Sequence, residues 1–151
     1  MISCEYNAFT TTYDSISDKL SNTAEVSCAG KTCAVQALWD TGATCTCISY
    51  EVARLLKLIP TGFNSILTPS GRKVVHTYLI DILLPNGVMV GDVVVCDSDI
   101  GEQGLGLLIG MNIINIGELC VSSKGGRTTF SFIIPPVSDA DYIPEANKLN
   151  N

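Results

Sequence analysis

The chain has 151 residues, of which 46% are hydrophobic and 16% are charged, a composition that supplies a core for one domain and excludes a disordered chain. Fifteen acidic residues against nine basic ones give a net charge of −6. A surface of that sign repels nucleic-acid phosphates, so we expect no DNA or RNA partner.

A secretory signal is not expected, because the first residues (MISCEYNAFTTTYDS) contain neither a basic region nor an apolar stretch. The longest apolar run, residues 105–116, is interrupted by two glycines and two asparagines and is too short to cross a bilayer. The seven cysteines form an odd number, which without a signal favours reduced thiols. We therefore expect a cytoplasmic protein without a membrane partner.

Three segments differ in their residue pattern. Residues 1–23 are polar and weakly periodic, and we interpret them as an N-terminal extension. Residues 24–134 hold nearly all of the strong patterns and are predicted to form one domain. Residues 135–151 begin with two prolines and are predicted to be a polar, loosely ordered C-terminal tail.

Short strands dominate the central segment. The predicted strands are, in chain order, residues 26–28, 32–39, 74–84, 88–96, 105–109, 119–122 and 128–134. Asn86-Gly87 joins the third to the fourth and is the strongest short-range signal for a hairpin. Gly125-Gly126 predicts another hairpin, between the last two strands.

Two short helices interrupt the strands. The first begins at Ser49, which can cap its N-terminus, and ends at Pro60 and Gly62. Its apolar residues follow helical spacing, at Val52, Leu55, Leu56 and Ile59. The second helix is predicted at residues 111–116. Many short strands with few helices predict a mainly β fold, either a small closed barrel or a sandwich.

The stretch ALWDTGA, residues 37–43, ends a predicted strand on a carboxylate. Alternating apolar residues lead to Asp40, and Gly42 permits a sharp turn directly after it. Thr41 can hydrogen-bond to nearby backbone and stiffen the loop. Taken alone, the triplet also fits a turn aspartate that caps its own loop. A carboxylate held at the mouth of a core is equally a candidate for acid–base chemistry.

Two motifs together resemble the retroviral-type, or retropepsin-like, aspartic peptidases. ALWDTGATCTCIS, residues 37–49, is similar to the family's Asp-Thr-Gly-Ala active-site loop. LLIGMN, residues 107–112, is similar to its apolar-apolar-Gly segment, and bacterial members with Gly-Met-Asp look most similar. The resemblance covers about residues 24–134. It implies a small closed β-barrel-like acid protease fold with one short helix after each motif.

The resemblance implies an aspartic endopeptidase that acts on protein or peptide substrates without a metal or other cofactor. The family's mechanism needs two carboxylates about 3 Å apart that share one proton. Asp40 would be one of them, but the chain contains a single Asp-Thr-Gly. The nearest alternative, residues 97–101, lacks a glycine directly after Ser98. The second carboxylate is therefore expected to be Asp40 of another copy, in a homodimer.

The resemblance also assigns roles to residues near Asp40. Thr41 and Gly42 would hold the active-site loop, and Ala43 would line the cleft. A hairpin tip at residues 68–73 would form a flap over the substrate, although these residues also fit an ordinary exposed turn.

Further substrate contacts are expected from the flap and the second motif. Ser70 and Gly71 would lie at the flap turn, where glycine lets the backbone approach a peptide. Leu108 and Ile109 are expected as apolar cleft walls. Two other apolar residues, Val74 and Ile66, are candidates for the same walls.

Two other functions remain open from the sequence. A retropepsin-like dimer without catalysis could bind an extended peptide or a partner protein. A thiol-redox or metal-binding protein could use the seven cysteines, although Cys45-x-Cys47 has no second closely spaced pair to complete a tetrahedral site. The single histidine, His76, is interpreted as a satisfied strand residue rather than a catalytic base.

Overall fold

The structure, a computed structural model, describes residues 5–151. This part of the chain forms ten strands and three α-helices. The strands are β1 (Asn7–Thr12), β2 (Leu20–Cys28), β3 (Lys31–Trp39), β4 (Cys47–Ser49), β5 (Gly62–Thr68), β6 (Gly71–Leu83), β7 (Met89–Ser98), β8 (Leu107–Ile109), β9 (Glu118–Ser122) and β10 (Thr129–Ile134). The helices are α1 (Tyr50–Leu55), α2 (Met111–Ile114) and α3 (Ile143–Leu149).

Six of the described strands close a barrel. They are hydrogen-bonded in the order β2, β3, β8, β4, β7 and β6, and the end of β6 pairs back to β2. Strand β5 pairs with the first half of β6 and forms an edge beyond the closed part. Closure gives hydrogen-bond partners to backbone N–H and C=O groups that the edge strands of an open sheet would expose. The predicted mainly β, closed barrel with a short helix after each motif is confirmed.

A three-stranded sheet, ordered β1-β10-β9, packs against the end of β3. The ring of Trp39 lies 5.4 Å from that of Phe9, 6.1 Å from Phe130 and 5.0 Å from Phe132, measured between centroids. All four rings are buried. Because large aromatic side chains contribute most to core energetics, this cluster fixes the strand end that Asp40 directly follows.

Helix α1 begins as predicted but is shorter than its apolar spacing indicated. The hydroxyl of Ser49 accepts a hydrogen bond from the N–H of Val52 at 3.2 Å, which caps the helix. The helix ends at Leu55, and Lys57 adopts a left-handed φ of 50°, which cannot continue it. Leu55, the last residue of the helix, is 67% exposed, and Ile59, beyond its end, is 84% exposed.

Both predicted hairpins form with left-handed residues at their turns. Asn86 and Gly87 have φ of 58° and 72° between β6 and β7, and Gly125 has φ of 71° between β9 and β10. Asparagine and glycine are the residues that tolerate this conformation. Within residues 5–151, none of the helices has the length and apolar character that crossing a membrane requires.

Both segments outside residues 24–134 contain structure that the sequence patterns did not indicate. Strand β1 pairs along its whole length with β10. The tail contains α3, where only a loose segment was predicted. Residues 1–4 of the proposed extension lie outside the described part of the chain. The division into extension, domain and tail stays a prediction.

Candidate active site

Asp40 lies at the start of a turn that directly follows β3. Its backbone N–H donates to the carbonyl oxygen of Ile109 at 2.9 Å, and its own carbonyl accepts from the N–H of Ala43 at 3.2 Å. The carboxylate oxygen Oδ1 accepts from the N–H of Gly42 at 2.8 Å. The half-buried side chain of Asp40 is thus oriented by its own loop, while Thr41 and Gly42 are exposed.

The two motifs meet directly behind this loop. Strand β8 of the second motif pairs in parallel with β3 and antiparallel with β4. The N–H of Met111 donates to the carbonyl oxygen of Ala43 at 2.8 Å. A side chain at Gly110 would place its Cβ 2.5 Å from the carbonyl oxygen of Cys45 and 2.9 Å from that of Ala43. Glycine is therefore required sterically where the motifs cross.

Thr46 is a site residue that the sequence analysis missed. Its side chain is fully buried, and its hydroxyl accepts from the N–H of Gly110 at 3.1 Å and donates to Oδ1 of Asn112 at 2.7 Å. The side-chain N–H of Asn112 in turn donates a hydrogen bond to the carbonyl oxygen of Val94 at 3.4 Å. The sequence signal that could have identified Thr46 is a threonine directly before the buried strand β4. This chain of hydrogen bonds connects the aspartate loop to the second motif and to β7.

A cleft of about 430 Å³ opens beside the aspartate loop. Loop residues 42–45 and Cys47 form one wall, residues 64–67 of β5 form the other, and Leu108 also contributes. Among the residues that the structure describes, none of those lining the cleft carries a charge. The cleft therefore suits an uncharged, extended ligand that pairs with an exposed strand edge.

The structure brings some of the predicted cleft residues together and separates others. Ala43, Leu108 and Ile66 all line the cleft. Ile109 does not, because adjacent residues in a strand face opposite sides and its side chain is fully buried in the core. Only its backbone reaches the site, through the bond to Asp40. Val74 is 70% exposed and also lies outside the cleft lining.

The predicted flap segment forms a tight hairpin whose first strand borders the cleft. Pro69 and Ser70 connect β5 to β6, and Gly71 has φ of 115°, which favours glycine. The hydroxyl of Thr68 donates to the carbonyl oxygen of Gly71 at 2.9 Å and closes the turn. Ser70 and Gly71 lie at the tip and are not among the residues that line the cleft. Their role as a flap stays a prediction.

Cysteines from two segments meet at one cleft wall. Cys47 in β4 lies opposite Cys96 in β7, and Cys45 packs against the buried cluster that contains both. Burial is the main cause that raises the pKa of Cys47 to about 12 and that of Cys96 to about 11. Within residues 5–151, no cluster of His, Cys, Asp and Glu side chains is suited to hold a metal ion.

A separate polar cluster surrounds the buried carboxylate of Asp97. It accepts hydrogen bonds from the backbone N–H of His76 at 3.0 Å and from the hydroxyl of Tyr78 at 3.2 Å. Nδ1 of His76 lies 3.1 Å from the same carboxylate. Burial raises the pKa of the Tyr78 hydroxyl, and the charge of Asp97 raises it further. The ring of His76 therefore has a polar partner on the neighbouring strand β7.

Neither the known protein-family models nor the curated proteins include a match to this sequence. Among solved structures, the chain is similar to a retropepsin-like aspartic protease from Rickettsia conorii, with a TM-score of 0.53 and 16% identity over 89% of this chain and 98% of that one. It is also similar to the EIAV protease complexed with the inhibitor HBY-793, with a TM-score of 0.52 and 16% identity over 70% of this chain and 92% of that one. The protein therefore has the retropepsin-like fold.

Proposed function

We propose that this protein is an aspartic endopeptidase that works as a homodimer, with Asp40 from each copy forming the catalytic pair. The observation that carries the proposal is the position of Asp40. Its carboxylate is oriented by the N–H of Gly42, the loop that follows it lines an uncharged cleft, and the second motif is hydrogen-bonded directly behind it. The retropepsin-like fold supports the same activity.

Two carboxylates about 3 Å apart cannot both be ionised, so they share one proton and titrate as a unit. The ionised Asp40 removes a proton from a water, whose oxygen attacks the scissile carbonyl carbon. The protonated Asp40 of the second copy polarises the carbonyl oxygen. The C–N bond then breaks as the departing nitrogen receives a proton from the pair, and the carbonyl re-forms as a carboxyl group.

The substrate is proposed to lie extended between the aspartate loop and β5. An edge strand offers free backbone groups, so the peptide main chain pairs with β5 while alternate side chains enter the cleft. The tip with Ser70 and Gly71 then acts as the flap that closes over it. Thr41 and Gly42 hold the loop, and their exposure leaves them accessible to a second copy.

The decisive experiment compares hydrolysis of a peptide library by the wild type and by Asp40→Asn, from pH 3 to 7, a range chosen around the titration of such pairs. Asparagine keeps the size of the side chain but cannot act as a base, so we expect a rate loss of about 10²–10⁴-fold or more. Asp14→Asn, at an exposed carboxylate, is the matched control. A wild type that cleaves nothing, or an Asp40→Asn variant that cleaves normally, would contradict the proposal.

The dimer is tested separately by sedimentation at several protein concentrations. A wild type that stays monomeric at the concentrations where it cleaves peptides would exclude a pair built from two copies of Asp40. The cleft and the free edge of β5 also favour the alternative function, a non-catalytic peptide binder. Peptide binding without hydrolysis, equal in the wild type and in Asp40→Asn, would identify that alternative. The cytoplasmic location stays a prediction.

A further inference from the structure

Three thiols from two segments of the chain come together where the cleft wall meets the barrel. Cys45 and Cys47 both line the cleft, whereas Cys96 lies behind them on β7. The N–H of Cys96 donates to the carbonyl oxygen of Thr46 at 3.0 Å, so its backbone runs directly beside the loop. The cluster packs against apolar side chains, among them Leu108.

The three thiols differ in access and in reactivity. Cys45 is half-buried and faces the cleft, while Cys47 is 9% exposed and Cys96 only 2%. Burial raises the pKa of both Cys47 and Cys96, so they stay protonated at neutral pH and react slowly with solutes. A small oxidant that enters the cleft therefore reaches Cys45 first. Cys45 packs against the buried cluster that holds Cys47 and Cys96, and a second thiol close to the oxidised sulfur is the arrangement found at redox-sensitive cysteines.

We propose that Cys45 is an oxidation site for hydrogen peroxide and that Cys96 resolves it by forming a disulfide. The sulfur of Cys45 attacks one peroxide oxygen, so an S–O bond forms, the O–O bond breaks and water leaves. The thiol of Cys96 then attacks the sulfenic acid of Cys45, an S–S bond forms, and a second water departs. Two thiols lose two electrons in total, and the peroxide is reduced to two waters.

Cys96 is a better resolving partner than Cys47. Cys45 lies in the bend directly before β4, and the thiol of Cys47 already donates a hydrogen bond to the backbone carbonyl oxygen of Cys45, at 3.9 Å. Cys96 instead approaches sideways, from a neighbouring strand whose backbone is already hydrogen-bonded to Thr46. The disulfide would tie the aspartate loop to β7 and change the cleft wall. This consequence for cleavage rests on the proposed peptidase function.

The chemical step is tested without any activity assay. The wild type is treated with hydrogen peroxide, digested without reduction and analysed by mass spectrometry. We expect a cross-linked pair of peptides that joins Cys45 to Cys96 and is separated again by dithiothreitol. An intact Cys45 thiol in protein whose exposed Cys120 is already oxidised would overturn the proposal, and so would a bond from Cys45 to Cys47. Because this readout needs no substrate, it can fail while the peptidase proposal stands.

The role of Cys96 is tested with Cys96→Ser, which does not alter a residue lining the cleft. Untreated, this variant should cleave peptides like the wild type. After peroxide, the wild type should lose cleavage by about 10²-fold, since a shift of about 1 Å in a catalytic group can have that effect, and should recover with dithiothreitol. Cys96→Ser should be overoxidised at Cys45 and should not recover. Equal recovery of both proteins would overturn the proposal.

The matched control is Cys120→Ser, which removes an exposed thiol remote from the cluster and should behave like the wild type. If Cys96→Ser does not fold, the proposal is tested only by locating the disulfide in the peroxide-treated wild type by mass spectrometry. A missing cross-link then rejects the proposal.

Discussion

The hydroxyl of Thr46 accepts a hydrogen bond from the backbone N–H of Gly110 at 3.1 Å, and this contact joins the two motifs of the site. The same hydroxyl donates to Asn112, so one buried oxygen holds both the strand end and the start of α2. Ile109, the residue before Gly110, accepts the bond from the N–H of Asp40. The position of the Asp40 carboxylate therefore depends on hydrogen bonds between groups that take no direct part in the proposed catalysis.

Replacing Thr46 by valine should destabilise the protein and slow cleavage. Valine has nearly the same shape but no hydroxyl, so the N–H of Gly110 and Oδ1 of Asn112 lose their shared partner. An unsatisfied buried polar group costs about 1–3 kcal/mol, and we expect a decrease of that size in the free energy of unfolding measured in urea. Thr32→Val, at an exposed position of β3, is the matched control. Equal unfolding free energies for the two variants would show that the hydrogen bonds of the Thr46 hydroxyl do not stabilise the protein.

Gly110→Ala should be destabilising for a steric reason. The added Cβ would lie 2.5 Å from the carbonyl oxygen of Cys45, and backbone atoms cannot move aside as a flexible side chain can. Overpacking of this kind costs about 1–3 kcal/mol and should displace the aspartate loop. Thermal unfolding and peptide cleavage measure the two effects. Gly91→Ala is the control, because its Cβ would make only an ordinary contact at 3.5 Å with Asp81. Similar losses in both variants would contradict the prediction.

Asp97→Ala should reduce stability without acting at the proposed catalytic pair. It leaves the N–H of His76 and the hydroxyl of Tyr78 without the carboxylate that both contact. Hydrogen bonds to a charged group contribute about 1.5–3 kcal/mol, which for a chain of this size lowers the melting temperature by several degrees. Asp99→Ala, two residues further along and exposed, controls for the lost charge. An unchanged melting temperature for Asp97→Ala would show that water replaces the carboxylate.

Those parts of the fold that depend on local patterns could be predicted from the sequence. The turn at Asn86-Gly87 and the cap at Ser49 follow from the conformational preferences of single residues. Residues 37–43 combine strand alternation with a glycine turn, and together with residues 107–112 they identified the fold through resemblance. In each case the deciding information lies within a few consecutive residues.

The remaining features depend on contacts between distant segments. Strand β1 is rich in threonine and lacks clear apolar alternation, and it is ordered by pairing with β10. The apolar run of residues 105–109 predicts Ile109 as a cleft wall. In the structure, the alternation of side chains along β8 places Ile109 in the core instead. The proximity of Cys45 to Cys96 could not be predicted, since it depends on the parallel pairing of β4 with β7, two strands that are distant in the sequence.

The carboxylate of Glu118 holds the start of the C-terminal tail. It accepts hydrogen bonds from the hydroxyl of Ser138 and from the N–H groups of Val137 and Ser138, at 3.0 and 2.9 Å for the latter two. These bonds, with that of the Ser138 hydroxyl foremost, lower the pKa of Glu118 in the folded protein. A carboxyl whose folded pKa lies below its unfolded pKa stabilises the fold above the unfolded value. That contribution is lost as the pH falls through the folded value.

We therefore predict that acid releases residues 137–138 from β9. Amide hydrogen exchange, corrected for intrinsic rates, should show protected N–H groups at Val137 and Ser138 at neutral pH. This protection should disappear below the ordinary carboxyl pKa of about 4.3. Glu118→Gln should show weaker protection that varies little with pH, because its neutral amide offers a poorer acceptor. Glu145→Gln, in α3, is the matched control and should follow the wild type. Protection that persists unchanged in the acidic wild type would show that Glu118 does not hold the tail.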